Sequence, residues 1–288
     1  MLRPFRLLQP ETVEEASKEA VRLGDDAAIY AGGAELLLLM RNGLVQPDYL
    51  IDIKKIPGLS ALTNNNGALT IGANVTHAQL ERDGAVLERF PLLAEAESHV
   101  GNVRVRNQGT LGGNLCFADP HSDPPTALLI HEATVQLQSV FGARSMPIDQ
   151  FIVGTFETAL KPGEILGGIR VPALPAEWGW AYRRIERFYR PTLNVAAAAR
   201  SSGGVVHDAR LAVGCVGPTA TRLTELEEKI RGQTVHEACV EIAEAATYLR
   251  ELLDPVDDLL GPADYKLQIT TVLLRRALRV AVGGNAHA

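Results

Sequence analysis

The stretch TLGGNLCFADPHSDPPTALL, Thr110 to Leu129, decides how this chain is read. It sets Gly112 and Gly113 a few residues ahead of Pro120, Pro124 and Pro125, and then runs into apolar residues. The glycine pair lets backbone N–H groups converge where a Cβ would stand in the way. Converging amides form a nest for an anion. A second pair, Gly32 and Gly33 in AGGAE (Ala31–Glu35), follows the apolar segment Ala27–Tyr30 and precedes the apolar run Leu36–Arg41. A helix opening at Leu36 would add positive partial charge behind that nest. A nucleotide pyrophosphate is the natural guest. Thr110 and Asn114 are candidate side-chain donors. Asp123, stiffened by Pro124, is a candidate acceptor for ribose or ribityl hydroxyls. One glycine pair after a strand is most often only a tight turn. Two in one chain, the second followed by ADPHSD, is a rarer pattern. Neither matches the dinucleotide G-x-G-x-x-G or the P-loop, so nicotinamide and ATP lose ground.

Composition narrows the class. With 288 residues, 46% hydrophobic and 22% charged, the chain is ordinary globular material, long enough for two domains. A net charge of −6 argues against bulk attraction to nucleic acid or anionic membrane. The local basic group Arg183, Arg184, Arg187 and Arg190 reads equally as a solvated face or as a phosphate or partner contact. Cys116, Cys215 and Cys239 are isolated, so no self-contained zinc or iron–sulfur set is offered. An odd cysteine count without a secretory signal fits a reducing cytoplasm. The apolar run Leu36–Met40 is too short to span a bilayer.

Along the chain, Thr12 and Glu15 read as a capping box for a helix to about Leu23, stopped by Gly24. Strands are expected at Ala27–Tyr30 and Tyr49–Ile53 around the helix Leu36–Arg41, a βαβ-like unit. After residue 54 a second α+β unit carries a strand at Ala68–Gly72, a helix capped by Thr76, a helical stretch Leu92–Val100, the quoted segment as a loop, and a strand at Ala133–Gln138. Pro172–Glu177 reads as a linker. Strands at Thr192–Arg200 and Val205–Val216 flank Ser201-Ser-Gly-Gly204, a hairpin signal. Helices are expected near Thr221–Arg231, His236–Leu253 and Ala263–Val282. The expected architecture is α+β, with units at about 1–53 and 54–176, a third at 177–283, and a flexible tail at 284–288.

Several segments together carry a resemblance. RPFRLLQPETVEEA, AGGAELL, IGANVTHAQLE, VRNQGTLGGNLCFADPHSDPP, PGEIL and DYKLQITTVLLRRAL make the chain resemble the FAD-binding medium subunits of the molybdenum hydroxylase family, over nearly its whole length. The resemblance implies a two-part FAD-binding domain at 1–176 followed by a C-terminal flavoprotein domain at 177–283. It implies that Tyr30, Ala31, Gly32, Gly33, Ala34, Glu35, Leu36 and Leu37 form a first loop around pyrophosphate and ribityl. Thr110, Leu111, Gly112, Gly113 and Asn114 would form the second. Asp123, Leu166 and Arg184 would serve the flavin side, Arg184 standing where relatives carry Lys, and Val100 would be a further cofactor-binding residue. Ala34-Glu35 replaces the family's Thr-Asp, and His121 replaces a small residue.

The resemblance further implies non-covalent FAD here. A large subunit would hold the molybdopterin cofactor and a small subunit two [2Fe–2S] clusters, in a heterotrimer usually doubled to (LMS)2. The subunit would take electrons from the clusters and pass them through FAD to an external acceptor, with no catalytic acid or base of its own. A bulky residue at Gly32 or Gly113 should empty the site. Two alternatives stay open: a stand-alone flavin oxidoreductase, and a flavin-free scaffold subunit. His77 reads as a structural hydrogen-bonding residue at a helix start. His121 reads as a cofactor or partner contact or as a solvent-facing loop residue, and covalent flavin attachment through it is the remote option.

Overall fold

The computed structural model describes residues 2–187 and 190–283; the expected tail, 284–288, lies outside them. Thr12 caps the helix Val13–Leu23, its Oγ1 accepting from Glu15 N at 3.1 Å. The Glu15 carboxylate accepts from Glu11 N at 2.8 Å, so the return bond of the capping box reaches one residue beyond Thr12. Gly24, at φ 53°, ends the helix. Strands Ala27–Tyr30 and Tyr49–Asp52 pair in parallel around the helix Leu36–Arg41. A third parallel strand, Arg6–Leu8, flanks Tyr49–Asp52 and is too short to show a period in sequence.

The second unit is a five-stranded antiparallel sheet in the order Leu62–Asn65, Ala68–Gly72, Ile165–Pro172, Thr134–Ser139, Gly142–Pro147. Asn66 and Gly67, both at positive φ, turn its first hairpin. Helices pack over it around Leu80, Phe90, Leu93, Leu111, Leu115 and Ile130, all fully buried.

The quoted segment is not the expected loop. Leu111–Phe117 and Pro124–Ile130 are helices, and only Ala118–Asp123 connects them. Thr110 supplies the N-cap, its Oγ1 accepting from Gly113 N at 3.0 Å, which overrides the turn tendency of the glycines. Pro124 stands at the first helical position, where a missing N–H costs nothing. Every residue from Pro124 to Ile130 is buried, because this helix lies between the second unit and the third.

The third unit is a four-stranded antiparallel sheet with helices on its outer face. Its first strand, Gly179–Arg187, carries Arg183, Arg184 and Arg187, so the basic group belongs to a sheet. Gly203 and Gly204, at φ 56° and 77°, close the expected hairpin. The strand Arg190–Ser202 is buried on both faces. Val195, Ala197 and Ala199 meet the outer helices, while Ala196 and Ala198 meet the core shared with the second unit. Alanine forms strands poorly, but its small side chain lets helices close on both sides. The C-terminal helix Ala263–Val282 forms as expected. The expected helix His236–Leu253 divides into Val235–Glu244 and Ala246–Leu253, and the segment from Thr221 begins as a short strand before the helix Thr224–Ile230. Among the described residues no helix is long and apolar enough to cross a membrane.

Candidate functional site

A cleft of about 480 Å³ opens where the three units meet, walled by both glycine loops, by the Ala118–Asp123 connection and by Arg190 and Pro191 of the third unit. That volume is within the range of small-molecule sites. The glycines are required for close approach. A Cβ on Gly32 would lie 2.2 Å from Gln108 O and 3.0 Å from Gly109 Cα, so the two loops touch backbone to backbone. A Cβ on Gly112 would lie 2.6 Å from Ala73 O. The second loop is also stitched to the segment around Thr76: His77 N donates to Gly109 O at 3.2 Å and Leu111 N to Val75 O at 3.0 Å.

The two loops differ in what they can offer an anion. In the second, Gly113 N is taken by Thr110 Oγ1 and Asn114 N by Thr110 O, leaving Gly112 N without an acceptor among the described residues. In the first, the amides of Gly32, Gly33, Ala34 and Glu35 find no acceptor among the described residues. The free donors therefore sit mainly in the first loop. The helices behind the loops, Leu36–Arg41 and Leu111–Phe117, are short, so the amides themselves matter more than any helix dipole.

Ala31, Gly32, Gly33, Ala34, Glu35, Leu36, Val100, Thr110, Gly112, Gly113, Asn114, Asp123 and Leu166 all stand on the cleft wall. Four other sequence candidates do not. Tyr30 lies under the first loop with Lys54 Nζ 3.3 Å from its ring centroid. Leu37 faces a separate shallow groove with Leu38 and Arg41. Leu111 is fully buried in the second unit's core. Arg184 is set back: Nη1 donates to His99 O at 3.2 Å, Nε lies 3.5 Å from Asp123 Oδ1 and Nη2 lies 3.1 Å from Glu186. Arg190, of the basic group weighed in the sequence as a phosphate or partner contact, is on the wall; wall residues that sequence patterning did not single out include Ile53, Ala73 and Ser122, which come from different elements.

Asp123 is 3% exposed and is held by the third unit rather than by Pro124. Its Oδ1 accepts from Tyr182 OH at 2.6 Å and from Asn194 Nδ2 at 3.3 Å. Burial raises its carboxyl above the ordinary value, with Arg184, Tyr182 and Asn194 opposing. The Tyr182 hydroxyl is pushed well above its usual value by burial and by Asp123. His121 is not solvent-facing. Its Nδ1 lies 3.0 Å from Pro191 O and its Nε2 3.0 Å from Asp258 Oδ2, tying the connecting loop to the third unit. Arg190 Nη1 bonds Asp119 at 3.0 Å, and Arg144 Nε bonds Glu164 at 2.7 Å. Burial pushes the Cys116 thiol up to about 12, which denies it thiolate chemistry at neutral pH. The titratable groups along this wall are thus largely paired already.

Comparison with known proteins bears on this arrangement. Residues 3–174 match the family described as the FAD binding domain in molybdopterin dehydrogenase, and residues 181–281 match the CO dehydrogenase flavoprotein C-terminal domain. The chain is 35% identical over 279 residues to the carbon monoxide dehydrogenase medium chain of Hydrogenophaga pseudoflava, covering 96% of each. It is 32% identical to the nicotine 6-hydroxylase medium subunit of Paenarthrobacter nicotinovorans, covering 96% of this chain and 97% of that one. Among solved structures, carbon monoxide dehydrogenase from Hydrogenophaga pseudoflava lacking the Mo-pyranopterin moiety superposes with a TM-score of 0.92 at 36% identity over 98% of both chains. Quinoline 2-oxidoreductase from Pseudomonas putida superposes with a TM-score of 0.88 at 29% identity, again over 98% of both.

Proposed function

The chain belongs to the FAD-binding medium subunits of the molybdenum hydroxylase family, and from that premise we propose that it is the flavin relay of a three-subunit dehydrogenase. Its FAD-binding domain would span 1–176 and its C-terminal flavoprotein domain 177–283. A small subunit with two [2Fe–2S] clusters would deliver electrons. A large molybdopterin subunit would act on the organic substrate, and an external acceptor would drain the flavin. The assembly would be (LMS)2, in the cytoplasm. Bound FAD would supply the redox chemistry, exchanging electrons singly or in pairs.

The observation that carries this reading is the row of acceptor-free amides at Gly32–Glu35, facing the second glycine loop across a gap that admits no Cβ. A doubly charged pyrophosphate satisfies such donors, and charge-assisted bonds of this kind are the strong ones. Thr110 and the Asn114 amide would add side-chain donors. Asp123, anchored through Oδ1, would accept from a ribityl or ribose hydroxyl. Val100 and Leu166 would give the ring apolar surface. Arg184 would act through Asp123, since it stands behind that carboxylate rather than on the wall. Tyr30, Leu37 and Leu111 would support the loops from behind in the same way. The stand-alone oxidoreductase fits less well, because the cleft's ionisable side chains are largely tied to protein partners and leave few groups to act on a substrate.

The test is to co-purify the chain with its partners and mix the complex anaerobically with a one-electron reductant that docks at the clusters. Iron–sulfur absorbance should fall before flavin absorbance, and removal of the small subunit should slow flavin reduction. Flavin reduction that is equally fast in the isolated chain would contradict the relay.

A further inference from the structure

His77 lies behind the point where the two glycine loops meet, in a setting that packing alone does not require. It opens the helix His77–Arg82, whose N-cap Thr76 and Gln79 form a full capping box. The ring is 2% exposed and Glu97, on the neighbouring helix Pro91–Ser98, is fully buried. His77 Nδ1 lies 2.5 Å from Glu97 Oε2. A carboxylate oxygen accepts, so Nδ1 carries the proton and the ring's orientation is fixed. Glu97 Oε1 is buried with no partner among the described residues. A buried histidine–carboxylate pair with an orphan oxygen is expensive, and apolar residues of the same shape fill a core at no loss.

The other edge of the ring shows what the pair is placed for. A Cβ on Gly109 would lie 3.1 Å from His77 Cδ2 and 3.4 Å from Nε2. Gly109 Cα is also the atom 3.0 Å from the Cβ position of Gly32. His77, Gly109 and Gly32 all stand on the cleft wall. Nε2 has no partner among the described residues, so its edge is a nearly buried, unused polar group on the same cleft wall as the acceptor-free amides. The cleft's other candidate cations are already engaged: Arg190 with Asp119, and His121 with Asp258.

We propose that His77, oriented by Glu97, is a side-chain donor through Nε2–H to the pyrophosphate of the bound dinucleotide. The ring would then stand between two anions, Glu97 at its Nδ1 edge and the pyrophosphate at its Nε2 edge. Glu97 is a positioning residue and touches no ligand. This rests on the FAD reading above and adds a side-chain donor to an otherwise backbone-made cradle.

The full chain, stripped of flavin, is titrated with FAD and with ADP, which carries the pyrophosphate without the flavin. The titrations compare wild type, His77→Gln and Glu97→Gln, with 31P spectra of the FAD-saturated forms. A charged hydrogen bond lost corresponds to about a tenfold weakening or more. His77→Gln should weaken FAD and ADP by a similar factor of about ten and shift the pyrophosphate phosphorus resonances, with the melting temperature of the flavin-free chain read alongside to show that it is folded. Glu97→Gln should show the same pattern to a smaller degree, because the amide oxygen still accepts from Nδ1. The proposal is overturned if His77→Gln binds FAD as wild type does, or if affinity falls while the phosphorus resonances stay in place. If wild type binds neither FAD nor ADP, the FAD reading itself falls and takes this proposal with it.

Discussion

Replacing Gly32 by alanine puts one methyl group at the junction of the two loops. Gly32 is outside the positive-φ region, so alanine meets no backbone strain there and the penalty is steric. The new Cβ would sit 2.2 Å from Gln108 O, a backbone atom that cannot swing aside. The loops must separate by roughly 1 Å before the contact becomes tolerable, since carbon and oxygen rest well beyond 3 Å. Overpacking costs about 1–3 kcal/mol, offset by about 0.4–1 kcal/mol from the stiffer unfolded chain. A net destabilisation of about 1–2 kcal/mol follows. Binding suffers more. A donor displaced by roughly 1 Å no longer makes a hydrogen bond. Two charged bonds lost, at about 1.5 kcal/mol each, weaken FAD by a factor on the order of 10². Gly113→Ala is the control. Its Cβ would meet only Thr110 Oγ1, at 3.0 Å, and alanine is the better helix former by about 1 kcal/mol. Its FAD affinity should stay within a few-fold of wild type, although sequence alone put Gly113 on a par with Gly32. Flavin fluorescence titration with a thermal melt reads both effects. A Gly32→Ala chain that binds FAD at wild-type affinity refutes the reasoning, as does a Gly113→Ala chain that is damaged equally.

Three further outcomes follow from the buried ionisable groups. Burial raises the Asp123 carboxyl above its ordinary value of 3.8, so the folded chain holds that proton more tightly than the unfolded one. The associated stability is present below 3.8 and is lost as pH rises, so Asp123→Asn should melt higher than wild type at neutral pH and converge with it in acid, read by melts across pH. His131 behaves oppositely: burial lowers its value from 6.5 to about 4 against the opposing bond to Pro172 O, so stability worth about 3 kcal/mol, present above 6.5, drains away as pH falls toward 4. His131→Asn, which keeps a donor for Pro172 O, should flatten the melting-temperature profile between those limits. Cys116, although on the cleft wall, should react with iodoacetamide far more slowly at pH 7 than an ordinary thiol, measured by mass spectrometry on the folded chain.

Local chemistry made much of this legible in the sequence. The helix Val13–Leu23 is bounded by Thr12 and Gly24, the hairpin by Gly203-Gly204, and the last helix by its apolar period. Both glycine loops could be found as motifs, yet the reason for their glycines could not. Gly32 and Gly112 face backbone atoms of Gln108 and Ala73, 76 and 39 residues away respectively, and such approaches exist only after folding. The helix Leu111–Phe117 was obscured because its first turn reads GG; the Thr110 cap and the burial of Leu111 and Leu115 outweigh that propensity. His77 looked like a plain helix-start residue because its partner Glu97 is on another helix. Arg184 was placed at the cofactor by resemblance, while the strand that carries it sets its guanidinium behind Asp123.

The central claim is that the cleft between the loops holds one FAD per chain. The chain is purified with whatever accompanies it, and its visible spectrum is recorded before and after denaturation. Flavin bands should leave with the small-molecule fraction, one FAD for each chain. A colourless chain that stays colourless after FAD is added would contradict it and leave a flavin-free scaffold as the better reading.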